Sequence, residues 1–293
     1  MSILSVSNFT AEQLENIFRI AVFFKTKEVK PKLDNKVISL VFFEPSTRTR
    51  MSFEMAASRL GARFNLLNGK VGTSLEKDET LEDTIKNIAA MKPDVMVVRC
   101  NDELNLENMA AEVTPPIINA GWGTKGHPTQ ALLDLMTIKE ARQEARAERI
   151  LFVGDVKHSR VVSSHIQLAE ILGYEIAFCA PQEMIPKDTR VKYFAELSEG
   201  LSWATCVYSL RMQFERHHEK LSTQEFISKY QINEERLASW KKDGLILHPG
   251  PVNYGIELSH AVSKDSRNQI LKQVEYGVLV RMALIYYLLK ENL

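Results

Sequence analysis

The sequence has few of the features that mark disulfide-rich, metal-binding and membrane proteins. Its 293 residues include only three cysteines, Cys100, Cys179 and Cys206, whose wide spacing argues against a disulfide framework or a metal knuckle. No window approaches 18 apolar residues, and the first 13 residues lack a basic segment followed by a long apolar run. We therefore expect a cytoplasmic protein with reduced, packed thiols and no membrane association.

The sequence also has no excess of charge of either sign and no glycine-rich dinucleotide-binding motif after residue 153. Lys plus Arg and Asp plus Glu both number 37, so no global positive field attracts nucleic acid or a membrane surface. Residues 154–160 read Gly-Asp-Val-Lys-His-Ser-Arg where a dehydrogenase would carry a glycine-rich loop. Any anion site must therefore be local, and no cofactor or metal is predicted.

Apolar, strand-like runs alternate with helical periods along the whole chain. The predicted strands are residues 37–43, 63–67, 94–98, 116–119, 149–153, 175–179, 204–209 and 245–248. The clearest predicted helices are residues 80–91, 128–144, 160–172 and 268–290. This alternation predicts an α/β fold of two doubly wound parallel-sheet domains with helices on both faces.

A charged helix around residues 139–148 is the predicted domain boundary, because it has little apolar face beyond alanine and precedes a new strand. We place the first domain at residues 1–138 and the second at 149–269. The C-terminal helix, about residues 270–293, is expected to pack back on the first domain. Chains of this length usually divide into two domains.

A dense polar motif follows the first predicted strand. Residues 43–50 read Phe-Glu-Pro-Ser-Thr-Arg-Thr-Arg and lead into an amphipathic segment at 51–60. A helix N-terminus binds phosphate through its free backbone N–H groups and its positive dipole end, and arginine forms paired hydrogen bonds with phosphate oxygens. Taken alone, the motif equally fits an ordinary cap by Ser46 or Thr47 with two solvated arginines.

Five further polar groups follow other predicted strands. They are Arg99, residues 127–130, Arg160, residues 211–213 and residues 248–251. Ligands of open α/β sheets bind beyond the carboxyl ends of strands. One such group would mean little, because loops are usually polar, but six groups with four separate arginine positions predict a highly anionic ligand.

The motif at 43–50, with Ser52-Phe53-Glu54 after it, resembles the carbamoyl-phosphate signature of the aspartate/ornithine carbamoyltransferase family, and the resemblance covers essentially the whole chain. Residues 208–216 and 247–253 resemble the members that use aspartate, whereas ornithine-specific members would show Ser-Met-Gly and His-Cys-Leu-Pro there. The resemblance implies transfer of the carbamoyl group of carbamoyl phosphate to the α-amino group of L-aspartate. The products are N-carbamoyl-L-aspartate and phosphate, an early step of pyrimidine biosynthesis.

The resemblance also implies roles for individual residues. The phosphate ligands would be Ser46, Thr47, Arg48, Thr49, Ser74 and Arg99. The donors to the carbamoyl oxygen would be Thr49, Arg99 and His127. The acceptors for the carbamoyl amino group would be Gln130 and the carbonyls of Gly250 and Pro251, for which a cis bond before Pro251 is expected. Arg160 would hold the aspartate α-carboxylate, and Arg211 with Gln213 the β-carboxylate.

Lys77 resembles the residue of a mobile loop that a neighbouring subunit inserts into the site, where it would act in catalysis and contact aspartate. The resemblance therefore implies a homotrimer with shared active sites, each in the cleft between the two domains of a chain. It implies a mechanism without metal, cofactor or covalent intermediate. A regulatory subunit or a pathway enzyme as an additional partner remains open.

Two alternatives remain at this point. The chain could carbamoylate another amine, such as ornithine or an acylated ornithine, or it could be a catalytically silent, anion-binding paralogue. Three positions also depart from the family pattern. In the family, glycine is common at the position of Asp78, a small acidic residue is frequent at that of Trp122, and arginine is usual at that of Tyr254. These departures bear on the affinity for substrate and on the energetics of domain closure more than on the type of reaction.

Overall fold

A computed structural model describes residues 1–26, 33–142, 148–187, 189–212 and 222–290. The chain divides into two compact units. Unit 1 consists of Met1–Met136 and Val274–Leu293, and unit 2 consists of Thr137–Gln273.

Unit 1 is built around a four-stranded parallel sheet. Its strands are β1 (Val37–Phe42), β2 (Arg63–Asn68), β3 (Val95–Cys100) and β4 (Ile117–Trp122). They lie in the order β2-β1-β3-β4. Five helices accompany these strands. Helix α1 (Ala11–Thr26) precedes β1, and helix α5 (Pro128–Ala141) follows β4. The helices between the strands are α2 (Thr47–Arg59), α3 (Leu81–Ala90) and α4 (Leu106–Glu112). Five consecutive residues of β1 are buried, so both faces of this strand are covered.

Unit 2 contains a five-stranded parallel sheet. Its strands are β5 (Arg149–Val153), β6 (Glu175–Cys179), β7 (Lys192–Tyr193), β8 (Cys206–Ser209) and β9 (Leu245–Leu247), in the order β7-β6-β5-β8-β9. The helices between them are α6 (Arg160–Leu172), α7 (Leu197–Trp203), α8 (Thr223–Tyr230) and α9 (Glu234–Ala238). The long C-terminal helix α10 (Ile270–Lys290) lies mostly in unit 1.

Short polar residues set the helix boundaries. Thr80 accepts a hydrogen bond from the backbone N–H of Asp83 and so caps α3, and Asn105 caps α4 in the same way. Helix α6 ends at Gly173, whose φ of 74° lies in the left-handed region that glycine adopts without a steric penalty.

The fold class predicted from the sequence is confirmed: the chain forms two parallel sheets connected by helices. Every predicted strand is present, with ends that move by at most three residues. One strand was not predicted, β7, because two exposed residues carry no periodic signal. The predicted helix at 128–144 ends at Ala141, and its last two predicted residues lie outside the described ranges. The predicted cleft location of the active site stays a prediction.

The three cysteines are buried, and none forms a disulfide bond. Burial is also the main reason why the pKa of Cys179 rises to about 12, so this thiol is protonated and unreactive at neutral pH. None of the described helices is long and apolar enough to cross a membrane.

Candidate functional site

Each sheet has one point at which the strand order reverses, and four predicted site residues lie at the ends of the strands beside it: Arg48, Arg99, Arg160 and Arg211. In unit 1 the chain passes from β1 to β2 on one side and to β3 on the other, so the reversal lies between β1 and β3. In unit 2 it lies between β5 and β8. At such a reversal point, the connections that follow the two neighbouring strands run to opposite sides of the sheet. This leaves a crevice at the carboxyl ends of the two strands, where ligands of this fold class bind.

The polar motif forms the first turn of α2. The helix begins at Thr47, four residues earlier than the amphipathic segment suggested. Ser46 to Thr49 contribute the backbone N–H groups that have no partner within the helix, whereas the Arg50 N–H donates to the Ser46 carbonyl at 3.2 Å. Ser46 is the N-cap residue, but its side chain makes no capping hydrogen bond. Thr49 is buried, whereas Arg48 is exposed. An uncapped helix start with an arginine beside it is suited to bind an anion.

Arg99 lies at the end of β3, opposite Phe42 of β1 in the sheet register. Its Nη1 donates to the carbonyl of Ala120 at 3.3 Å, and its Nε lies 3.7 Å from a carboxylate oxygen of Glu44. The backbone N–H of Phe43 donates to the Arg99 carbonyl at 2.9 Å. The guanidinium is thus held at the same reversal point as the start of α2.

The residues after β4 form a buried polar cluster with α10. Oγ1 of Thr129 lies 3.5 Å from Nδ1 of His127 and 3.4 Å from Nη2 of Arg281. Nε2 of Gln130 donates to a carboxylate oxygen of Asp134 at 2.9 Å. All five side chains are less than a tenth exposed. His127 and Gln130 were predicted as ligands of the carbamoyl group, and these contacts fix the position of both side chains.

Lys77 ends a short 3-10 helix, Ser74–Lys77, and both Ser74 and Lys77 lie at the accessible surface of unit 1. The next residue, Asp78, has a φ of 64°, in the region that glycine favours. Asp78 therefore holds a conformation that costs roughly 1 kcal/mol for a residue with a side chain.

A pocket of about 520 Å³ lies beside this loop within unit 1. Its lining includes Glu44 after β1, Asn101 after β3, and Lys70 and Asp78 of the loop. Five carboxylates and one lysine line it, so the pocket itself is unsuited to an anionic substrate.

In unit 2, Arg160 is the first residue of α6 and follows β5. The N-cap residue, Ser159, makes no side-chain capping bond, as at α2. Between strand and helix, the fully buried carboxylate of Asp155 accepts from Nδ1 of His158 at 2.9 Å and from the His158 backbone N–H at 3.3 Å. The pair fixes the loop that leads to Arg160.

Arg211 follows β8, across the reversal point from Arg160. Register pairs Val153 of β5 with Ser209 of β8, and the backbone N–H of Leu210 donates to the Val153 carbonyl at 2.8 Å. The Arg211 side chain is half-buried. Gln213, its predicted companion, lies outside the described residues.

The loop after β9 contains the cis peptide bond between Gly250 and Pro251 that the sequence predicted. The Gly250 N–H donates to Nδ1 of His248 at 2.8 Å, which leaves the ring hydrogen on Nε2, 3.3 Å from Oε1 of Glu257. Oε1 of Glu257 also accepts from the Asn253 N–H at 2.7 Å. These bonds hold the chain on both sides of Pro251.

Sequence reasoning missed the supporting residues Asp134 and Arg281. A signal for each exists in the sequence. Asp134 lies four residues after Gln130 on α5, the spacing at which helical side chains meet. Arg281 is the one charged residue within the apolar run 276–285.

Among the described residues, no group of three or more His, Cys, Asp or Glu side chains is arranged to hold a metal ion.

Two family models match most of the chain. Residues 1–140 match the aspartate/ornithine carbamoyltransferase carbamoyl-P binding domain, and residues 147–288 match the Asp/Orn binding domain of the same family. The chain is 42% identical over 269 residues to an aspartate carbamoyltransferase catalytic subunit of Helicobacter acinonychis, with 89% of this chain and 87% of the relative covered.

Solved structures show the same fold. The catalytic subunit of M. Jannaschii aspartate transcarbamoylase superposes with a TM-score of 0.87 at 31% identity, covering 99% of this chain and 98% of the other. The Trypanosoma cruzi aspartate transcarbamoylase in complex with carbamoyl phosphate superposes with a TM-score of 0.88 at 30% identity, covering 97% and 94%. On these matches and on the two family domains, the chain belongs to the aspartate/ornithine carbamoyltransferase family.

Proposed function

We propose that this chain is a catalytic chain of aspartate carbamoyltransferase, which forms N-carbamoyl-L-aspartate and phosphate from carbamoyl phosphate and L-aspartate. The observation that carries the proposal is the uncapped first turn of α2, with Arg48 in that turn and Arg99 at the neighbouring strand end. Relatives with aspartate carbamoyltransferase names cover most of the chain, which supports aspartate over ornithine as acceptor and an active enzyme over a silent paralogue.

Unit 1 residues are assigned to carbamoyl phosphate. The proposed phosphate ligands are Ser46, Thr47, Arg48, Thr49, Ser74 and Arg99. Thr49, Arg99 and His127 donate to the carbamoyl oxygen, and Gln130 accepts from the amino group. Fixed donors of this kind stabilise the negative charge that develops on the oxygen when the amine attacks.

Unit 2 residues are assigned to aspartate and to the carbamoyl amino group. Arg160 binds the α-carboxylate, Arg211 with Gln213 binds the β-carboxylate, and the carbonyls of Gly250 and Pro251 accept from the carbamoyl amino group. The neutral amine of aspartate attacks the carbamoyl carbon, a tetrahedral oxyanion forms, and phosphate leaves with the amine proton. Catalysis then consists of aligning two anions that repel each other in water and of stabilising the oxyanion.

The proposal extends to assembly and cell location. We assign the chain to a homotrimer in which Lys77 enters the active site of a neighbouring subunit, and to pyrimidine biosynthesis. The name "catalytic subunit" carried by the relatives supports an oligomer. A cytoplasmic location is supported by three buried cysteines without a disulfide bond.

The direct test is product formation by the purified protein. Incubation with carbamoyl phosphate and L-aspartate should yield N-carbamoyl-L-aspartate and one equivalent of phosphate, and ornithine or an acylated ornithine in place of aspartate should yield none. Equal turnover of ornithine would contradict the acceptor assignment. Absence of turnover with every amine, although carbamoyl phosphate binds, would indicate the silent paralogue.

Replacement of Arg211 by alanine tests the aspartate ligands. Loss of a half-buried guanidinium leaves the β-carboxylate unpaired, so we expect kcat/KM for aspartate to fall about 10²- to 10³-fold. The affinity for carbamoyl phosphate, measured by calorimetry, should change little. Arg190→Ala is a matched control because Arg190 is an exposed arginine of the same unit. A normal kcat/KM for aspartate in Arg211→Ala would exclude this role.

A further inference from the structure

The amide of Gln130 is held in one orientation by Asp134. Gln130 and Asp134 lie one turn apart on α5, and their side chains are 8% and 0% exposed. The 2.9 Å bond runs from Nε2 of Gln130 to Oδ1 of Asp134. An ionised carboxylate can only accept, so the nitrogen end of the amide must face Asp134. Within the described ranges, no other group donates to Oε1 of Gln130, which leaves the oxygen end for a ligand.

Arg281 keeps this arrangement electrically balanced. Its side chain is 3% exposed, its guanidinium lies 5.2 Å from the centre of the Phe53 ring, and the negative charge of Asp134 acts on it. Burial lowers the pKa of Arg281 to about 9, and Asp134 opposes that shift, so the guanidinium remains charged at neutral pH. A buried carboxylate without a nearby cation would favour its protonated form, which can also donate a hydrogen bond.

A side chain at position 134 that can both donate and accept would therefore remove the constraint on Gln130. A protonated acid, like an asparagine, can donate to Oε1 as well as accept from Nε2, so both amide orientations would become possible. Only the orientation in the structure presents an acceptor to a substrate amino group. The other orientation would present an N–H₂ group to it, and two donors cannot hydrogen-bond each other.

We propose that Asp134, supported by Arg281, is a positioning and specificity-determining residue. It makes the carbamoyl-phosphate site select a carbamoyl group over an acetyl group. The inference rests on the proposed function, in which Gln130 contacts the carbamoyl amino group. Acetyl phosphate has almost the same shape and charge as carbamoyl phosphate but carries a methyl group instead of NH₂. A methyl group cannot donate to Oε1, so an oriented acceptor distinguishes the two by leaving a buried oxygen unpaired.

Two stable phosphonates allow the preference to be measured by binding alone. Phosphonoacetamide carries the amide, and 2-oxopropylphosphonate carries a methyl ketone of similar size. Calorimetry should show that the unchanged protein prefers the amide by about tenfold or more. In Asp134→Asn the preference should fall about twofold, because the introduced amide side chain supports both orientations of Gln130 and only one of them presents an acceptor. The affinity for inorganic phosphate should stay the same, which a general loss of structure would not allow.

Three further variants separate orientation from stability. In Gln130→Ala the preference should be lost, and adding Asp134→Asn should change it no further, as expected when one residue acts through the other. Asp134→Asn with Arg281→Met removes both buried charges together, so no single charge is left uncompensated, and it should show the same loss of preference. Asp94→Asn replaces an ion-paired carboxylate at the opposite end of β3 and should keep the preference.

The outcomes separate this inference from the proposed function. An unchanged amide preference in folded Asp134→Asn overturns the inference and leaves the proposed function intact. An equal loss in Asp94→Asn also overturns it, because the effect would then be general. If the unchanged protein binds neither phosphonate, both proposals fail.

Discussion

Replacement of Arg48 by alanine is expected to lower kcat/KM for carbamoyl phosphate by about 10²- to 10³-fold. Arg48 lies in the first turn of α2, where the backbone N–H groups and the helix dipole already favour an anion. Its guanidinium adds a full positive charge at the point where the leaving phosphate gains negative charge. Steady-state kinetics with carbamoyl phosphate varied at saturating aspartate measure the loss.

Stability should not change in Arg48→Ala, because the side chain is exposed and alanine is a good helix former. Arg59→Ala is the matched control. Arg59 is an exposed arginine in the last turn of the same helix, at the end with the opposite dipole charge, and its removal should leave kcat/KM unchanged. Similar activities for the two variants would show that the start of α2 is not the phosphate site.

Mixing two inactive variants is expected to restore activity. Lys77→Ala leaves the pocket intact but removes the proposed contribution to a neighbour, and His127→Ala leaves Lys77 intact but removes a pocket residue. In a cyclic trimer containing both chains, one junction joins an intact pocket to an intact Lys77. Random reassembly of equal amounts makes about three quarters of trimers mixed, so about a quarter of all sites should be native.

The experiment dissociates both variants together in mild denaturant, removes the denaturant and measures carbamoyl aspartate formation. Each variant treated alone is the control and should stay nearly inactive. Lys70→Ala replaces another lysine of the same region and should stay active by itself, which shows that loss of a lysine there does not by itself inactivate the enzyme. If mass spectrometry shows mixed trimers that remain inactive, Lys77 acts within its own chain or has no role in the site.

All strands but one and half of the ten described α-helices could be predicted because their signals are local. Val37–Phe42 and Arg149–Val153 are short apolar runs bounded by polar residues, and Arg160–Leu172 has a 3.6-residue period. The two-residue strand β7 could not be predicted. Its residues, Lys192 and Tyr193, are exposed and pair with β6 only because the fold brings them to the sheet edge.

The candidate site could be located only in part from the sequence. The order of polar groups after strands pointed to Arg48, Arg99, His127, Arg160 and Arg211. It did not show that Ser46 leaves the start of α2 uncapped, because a serine in that position usually forms the cap. Whether a hydroxyl turns toward the helix or away from it depends on side-chain rotation that residue order does not specify.

Residue order is sufficient to specify where polar groups fall along this chain, because hydrophobic periodicity and turn chemistry act over a few neighbouring residues. It cannot specify how those groups are oriented. Gln130 meets Asp134 one turn away, but Arg281 reaches Thr129 across 152 positions in the sequence. That long-range contact exists only after α10 packs in unit 1, and it brings a buried positive charge to the cluster that holds His127 and Gln130.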